Sequence, residues 1–280
     1  MRVIHTDVIT QQVKEMCIEA NLILSDDVKN RIVDAQIKEK SVIGKQILGQ
    51  LEENMIIAQE DSIPICQDTG MAVVFIEIGQ EVHFDGILIE DAINEGIRQG
   101  YQEGFLRKSV VKDPLIRENT KDNTPGIIHY SMVTGDSVKI TVAPKGFGSE
   151  NMSRVIMLKP SDGMEGVTKA VVETVALAGP NACPPMVVGV GIGGTFEKCA
   201  LLAKKALTRN LEQSSTYPHI AKMEQELLEL INQTGIGPGG LGGRTTALGV
   251  NIETYPTHIA GLPVAVNICC HVNRHISRMI

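Results

Sequence analysis

Cys66, Cys183 and Cys270 are the residues of this chain whose type and setting could do chemistry. Each stands where an apolar stretch meets turn residues: Pro64-Ile65-Cys66-Gln67-Asp68-Thr69-Gly70, Pro180-Asn181-Ala182-Cys183-Pro184-Pro185 and Asn267-Ile268-Cys269-Cys270-His271. Such junctions build sites on rigid scaffolds. A structural zinc or an electron-transfer cluster normally takes four protein ligands, which close the metal off. Three thiolates would leave one metal position open to water or substrate, which suits Lewis-acid catalysis. The competing reading is burial, because an unbridged cysteine packs like a small hydrophobe. Cys17, on the apolar stripe of an N-terminal helix, and Cys199, in the helical stretch 196–207, fit burial. Cys66 and Cys183 fit it poorly, beside proline and polar groups. Cys269 and Cys270 are adjacent, and consecutive strand residues face opposite sides, so at most one of them belongs to a shared site.

Other residues gather around these. Asp68 is close enough to Cys66 to act as proton acceptor or as partner to a metal-bound water; the bland alternative is an Asx-turn with Thr69-Gly70. A hairpin around Pro256-Thr257-His258 would bring His258 near Cys270, although a lone histidine is more often structural. Arg107-Lys108-Ser109-Val110-Val111-Lys112 is a basic stretch in an acidic protein. It is either a solvated face or a carboxylate site, since one guanidinium can grip a carboxylate with two hydrogen bonds. Residues 145–151 offer backbone N–H groups to an anion. Gly189-Val190-Gly191-Ile192-Gly193-Gly194 formally matches a dinucleotide cradle, without the second strand and acidic residue that should follow. The glycine run 235–243 lacks the lysine of a phosphate loop. It is either a flexible surface loop or a close approach to something bulky.

The chain has 280 residues, a formal net charge of −7, 43% hydrophobic residues, 3% aromatic residues and no Trp. That allows one large domain or two smaller ones, with a core of Ile, Val, Leu, Ala and Met. The acidic balance argues against nucleic acid and anionic membranes as partners. A small anionic substrate needs only a local cationic pocket. No apolar run approaches the ~20 residues that span a bilayer, and no signal-peptide core is present at the N-terminus. A cytoplasmic protein is expected. There, six cysteines point to metal binding or burial rather than disulfides.

Apolar spacing predicts helices over the first 60 residues. One is capped by Thr6 or Asp7 and runs towards Leu24, one is capped by Ser25 and runs towards Lys38, and one is capped by Ser41. The three read as a bundle. Strands and helices then alternate: a strand over 71–78, helix within 85–103, a hairpin of 126–133 and 137–143, and a strand over 154–158. A helix over 161–178 stops at Gly179-Pro180. A buried strand over 186–190, a helix over 218–233 and strands over 246–252 and 262–269 complete the chain. The expected fold is mixed α/β (α+β): a single domain over residues 1–280, whose helical N-terminal section, residues 1–60, packs on a strand-and-helix catalytic domain.

Taken together, residues 65–70, 145–153, 181–185 and 257–271 resemble the class I (iron–sulfur) fumarate hydratases and their relatives the L-tartrate dehydratases, at alpha-subunit length. The resemblance implies that Cys66, Cys183 and Cys270 hold a [4Fe–4S] cluster whose fourth iron binds substrate. Gln67 and Asp68 fall on a pair that contacts substrate, Arg107 on a carboxylate-binding arginine, Gly148 on a backbone contact and His258 on a histidine of the site. Asp68 and His258 are thus the catalytic candidates. The implied reaction is reversible trans addition of water to fumarate, giving L-malate, with the cluster as Lewis acid rather than electron carrier. Single-chain members continue into a C-terminal domain carrying further basic residues and a threonine base. The implied partner is therefore a beta subunit, in a dimer of alpha/beta units. L-Tartrate dehydration is the alternative activity. A dinucleotide-binding dehydrogenase, resting on residues 189–194, is a remoter one.

Overall fold

The computed structural model describes residues 1–280, which fall into two compact units, each discontinuous in sequence. The first comprises Met1–Ser25, Met55–Phe147 and Arg274–Ile280; the second comprises Asp26–Asn54 and Gly148–Asn273. The class is mixed α/β, as expected. No helix is long and apolar enough to cross a membrane.

In the first unit, β2 (Met71–Gly79) runs through a four-stranded sheet ordered β10 (Ile276–Met279), β5 (Val138–Lys145), β2, β4 (Ile127–Val133). β5 and β10 pair antiparallel, β5 and β2 antiparallel, and β2 and β4 parallel. The expected 126–143 hairpin is therefore not formed, because β4 and β5 flank β2. Residues Ala72 to Ile76 are all buried, so β2 is covered on both faces and takes a partner along each edge. β4 is largely exposed and ends the sheet as an edge strand. The turn after β4 wraps the end of β2, where the Gly79 N–H donates to Ser137 O at 2.8 Å.

In the same unit, α1 (Thr6–Leu22) buries Ile9, Val13, Met16, Cys17 and Ala20 at helical spacing. It packs on α4 (Ile89–Glu103), whose facing stripe includes Ile93, Ile97 and Tyr101. The cap of α1 is His5, whose Nδ1 accepts the Asp7 N–H at 3.3 Å. The Thr6 hydroxyl is taken instead by the Ile87 N–H at 3.0 Å. β1 (Arg2–His5) and β3 (Val82–Asp85) form a two-stranded parallel pair.

The second unit holds a sheet ordered β6 (Arg154–Leu158), β9 (Leu262–Cys269), β7 (Met186–Gly193), β8 (Ala247–Tyr255). β9 is antiparallel to β6 and β7, while β7 and β8 are parallel. α6 (Gly163–Ala178) and α8 (Pro218–Gln233) cover one face through Val171, Val175, Leu227 and Ile231, against Val188, Val190 and Val266. α7 (Phe196–Ala206) covers the other, with Cys199 and Ala203 against Ala265. α2 (Asp26–Lys38) packs on β8. α3 (Val42–Glu60), whose residues up to Asn54 belong to this unit and the rest to the first, is capped by Ser41, whose Oγ accepts the Gly44 N–H at 3.2 Å. Neither unit holds the expected three-helix bundle: the stripe of α1 is met by α4 in the first unit, and α2 packs on β8 in the second. The single turn α5 (Phe147–Glu150) follows β5.

Candidate functional site

The Cys66 loop of the first unit is pinned by buried polar groups. The Ile65 N–H donates to Asn21 O at 2.9 Å. The Tyr101 hydroxyl, fully buried, lies 2.8 Å from Thr69 O and 3.0 Å from Gly70 O. Burial pushes the Tyr101 phenol well above its usual range, so it stays a neutral donor. Asn123, also fully buried, donates to Gly70 O at 3.1 Å and accepts the N–H groups of Ser109 at 2.6 Å and Val110 at 3.1 Å. The Thr69 hydroxyl accepts the Arg107 N–H at 2.9 Å and donates to Arg107 O at 3.2 Å. Arg107 is thereby fixed beside the Cys66 loop, with an exposed side chain that makes no hydrogen bond or ion pair.

Both Asp68 oxygens are placed. Oδ1 accepts the Gly70 N–H at 3.0 Å, which is the Asx-turn, and Oδ2 accepts the Phe147 N–H at 2.9 Å. Gln67 is exposed, with Oε1 3.5 Å from Cys66 Sγ. Arg274, only 4% exposed, donates from Nε to Pro144 O at 3.1 Å and from Nη2 to Asp68 O, while its Nη1 has no partner. A buried guanidinium with a spare donor beside Asp68 is the residue that sequence reasoning missed. Its only signal was a charged residue shortly after Cys270.

In the second unit, β7 and β9 bring two further cysteines to one end of their sheet. Val187 pairs with Cys269, so Cys183, just before β7, and Cys270, just after β9, flank the same edge. His271 Nδ1 lies 3.1 Å from Cys183 O. Cys183 has left-handed backbone angles, φ 53° and ψ 61°. The Ser153 hydroxyl accepts the Ile268 N–H at 3.0 Å and lies 2.7 Å from Asn267 Nδ2, tying the 149–153 turn to the strand that ends just before Cys270. Gly148 is exposed, with open space where a Cβ would stand.

His258 is not brought to that end. β9 lies between β6 and β7, so β8 and β9 form no hairpin. His258 follows the far end of β8, where Gly193 pairs with Tyr255. The length of β7, roughly 23 Å at strand rise, separates it from Cys183 and Cys270. It sits in a local turn, with Nδ1 3.2 Å from the Ala260 N and its carbonyl accepting the Gly261 N–H at 3.0 Å.

The six cysteines divide cleanly, and none is in a disulfide. Cys17, Cys199 and Cys269 are buried; Cys66 and Cys270 are half-buried and Cys183 is exposed. Burial pushes the Cys17 thiol up to about 12 and raises that of Cys199, so neither readily yields the thiolate a metal needs. The three thiols that reach solvent are the three the resemblance assigns to the cluster. Their chemistry fits that group, with one thiol in the first unit and two in the second. In neither unit do three His, Cys, Asp or Glu side chains converge into a ready-made metal nest.

The glycines of the dinucleotide match have another task. Gly189 and Gly191 lie within β7, where a Cβ would come 2.2 Å from Ala203 O and 2.0 Å from Cys199 O of α7. They let a helix lie close across a strand. They are not in the turn that would hold a pyrophosphate, and β9 runs antiparallel beside them. The dehydrogenase expectation is corrected on that ground.

Residues 10–279 match the sequence profile of the family described as fumarate hydratase (Fumerase). The chain belongs to that family, and its reaction class is that of a hydro-lyase. A Methanocaldococcus jannaschii protein provisionally named L(+)-tartrate dehydratase subunit alpha is 45% identical over 278 residues, covering 97% of each chain. The L(+)-tartrate dehydratase subunit alpha of Escherichia coli strain UTI89 is 33% identical over 254 residues, covering 90% of this chain and 84% of the relative. Its counterpart in strain K12 is 32% identical over the same length.

Proposed function

We propose that this chain is the cluster-binding alpha subunit of a hydro-lyase that reversibly hydrates fumarate to L-malate. The observation that carries this reading is the division of the cysteines: only Cys66, Cys183 and Cys270 reach solvent. A [4Fe–4S] cluster held by those three would supply a Lewis-acidic iron with an open coordination position. A reducing cytoplasmic setting would keep the thiols available.

The remaining groups bind and orient. The Arg107 guanidinium takes one substrate carboxylate as a bidentate pair, and the Gln67 amide donates to the same end. Asp68, fixed by the Gly70 and Phe147 N–H groups, offers a carboxylate that accepts or holds a proton at the reacting carbon. Gly148 adds a backbone donor. A dianion needs more cationic groups than these, and a beta subunit supplies them together with the base. The subunit-alpha names of the relatives support that partner. His258 lies at the far end of its sheet from Cys183 and Cys270, so its catalytic role rests on the resemblance alone; the assembly is a dimer of alpha/beta units.

A second reading, L(+)-tartrate dehydration, is favoured by the names of the relatives. Loss of water from tartrate gives the enol of oxaloacetate, so the same groups serve. The test is anaerobic reconstitution of this chain with the product of its neighbouring gene, followed by iron and sulfide analysis and rates on L-malate, fumarate and L(+)-tartrate. A full cluster and fumarate–malate interconversion are expected. Faster oxaloacetate formation from tartrate selects the second reading, and a complete cluster in Cys183→Ser overturns the ligand set.

A further inference from the structure

Two features of the second unit have no task in the reaction: the glycine run 235–243 and the carboxylate of Glu39. Glu39 is 1% exposed. A buried carboxylate needs compensation, and here it comes from backbone N–H groups. Oε1 accepts from Lys40 at 2.8 Å and Ser41 at 3.0 Å; Arg244 N–H reaches Oε1 at 3.0 Å and Oε2 at 2.8 Å; Thr245 donates to Oε2 at 3.0 Å. One side chain thus fastens the turn after α2 to the residues that follow the glycine run.

The run in turn touches the Cys183 loop on both sides of the cysteine. The Gly239 N–H donates to Pro184 O at 2.8 Å. Gly240, at φ 73°, packs so closely that a Cβ there would come 2.3 Å from Pro180 Cβ. Between these contacts Cys183 holds a left-handed backbone. A residue with a Cβ keeps that conformation only where its surroundings impose it.

We propose that Glu39 is a positioning residue for Cys183: its carboxylate locks the glycine run, and the run buttresses the Pro180–Pro184 turn. The catalytic consequence rests on Cys183 being a cluster ligand. The placement of the thiol does not, so the test is made without the cluster.

The experiment measures alkylation of Cys183 and Cys66 by N-ethylmaleimide in the full, reduced, cluster-free chain, read by peptide mass spectrometry. Hydrogen exchange over residues 236–245 is followed in parallel. In Glu39→Gln the amide nitrogen cannot accept from the N–H groups it faces. The alkylation rate of Cys183 should change about fivefold or more, as expected for loss of contacts worth a hydrogen bond, with Cys66 unchanged and exchange over 236–245 faster. Gly240→Ala, which strikes Pro180 directly, should shift Cys183 selectively too, and it decides the matter if Glu39→Gln does not fold. The proposal is overturned if 236–245 loosens while Cys183 reacts at the wild-type rate, or if Cys66 and Cys183 shift together in both variants.

Discussion

His271 Nδ1 lies 3.1 Å from the carbonyl oxygen of Cys183. A carbonyl only accepts, so the imidazole carries its proton on Nδ1 and donates. The residue after Cys270 therefore grips the backbone of Cys183, and the loops of these two candidate ligands are joined in the folded second unit. Were both to ligate the proposed cluster, that joining would lower the ordering cost of binding it.

The thiols should report their burial directly. In the folded, cluster-free chain, Cys66, Cys183 and Cys270 are expected to react with iodoacetamide, while Cys17 and Cys199 react only after unfolding. Burial keeps the latter two protonated, and the thiolate is the nucleophile. Mass spectrometry of peptides quenched over time checks this. Early labelling of Cys17 would contradict the packing of α1 on α4.

Arg107→Ala should weaken substrate binding with the cluster intact. Loss of a charge-assisted hydrogen bond costs about 1.5–3 kcal/mol, or roughly 10–100-fold in KM. Steady-state kinetics of the reconstituted complex, with iron content measured in the same sample, provides the check. Unchanged KM and kcat would return Arg107 to the solvated face.

Arg274→Met should loosen the Asp68 loop. The change leaves the Pro144 and Asp68 carbonyls without their donor and should destabilise the chain by about 1–3 kcal/mol. Urea denaturation gives the energy. Hydrogen exchange at Gly70 and Phe147, whose N–H groups bind Asp68, locates the effect. Wild-type exchange at both amides would show that Arg274 does not support the loop.

Glu39 predicts a pH-dependent clamp. Burial raises its carboxyl, but the N–H groups of Ser41, Thr245, Lys40 and Arg244 outweigh that and hold it below the usual glutamate range. A group depressed on folding contributes fully above its unfolded value, about 4.3. That contribution is lost as pH falls through the lower folded value. Glu39→Gln should cost about 2–4 kcal/mol at pH 7 and progressively less as pH falls below about 4. Denaturant titrations at both ends of that range decide it. A gap of constant size would show that ionisation of Glu39 is not what holds the loop.

The local elements were readable because they follow from neighbours in the chain. Ser41 caps α3, residues 163–178 end in Gly179-Pro180, and β2, β7 and β9 announce themselves as apolar runs. The ligand candidates were readable for a related reason: Cys66 and Cys183 stand among proline and polar residues, where a core filler is out of place.

Pairing was not readable. Nothing local says that β2 will insert between β4 and β5, that α1 will choose α4, or that β7 will separate β8 from β9. Those outcomes depend on which apolar faces can cover one another at long sequence separation. His258 was misplaced for that reason, Arg274 was missed, and the glycines of β7 looked like a ligand cradle when they admit a helix. The sequence by itself determined which residues carry thiols, charges and turns, because side-chain chemistry and local propensity belong to the residue. Only the tertiary structure decided which of them meet, because register, strand order and burial are set by packing over the whole fold.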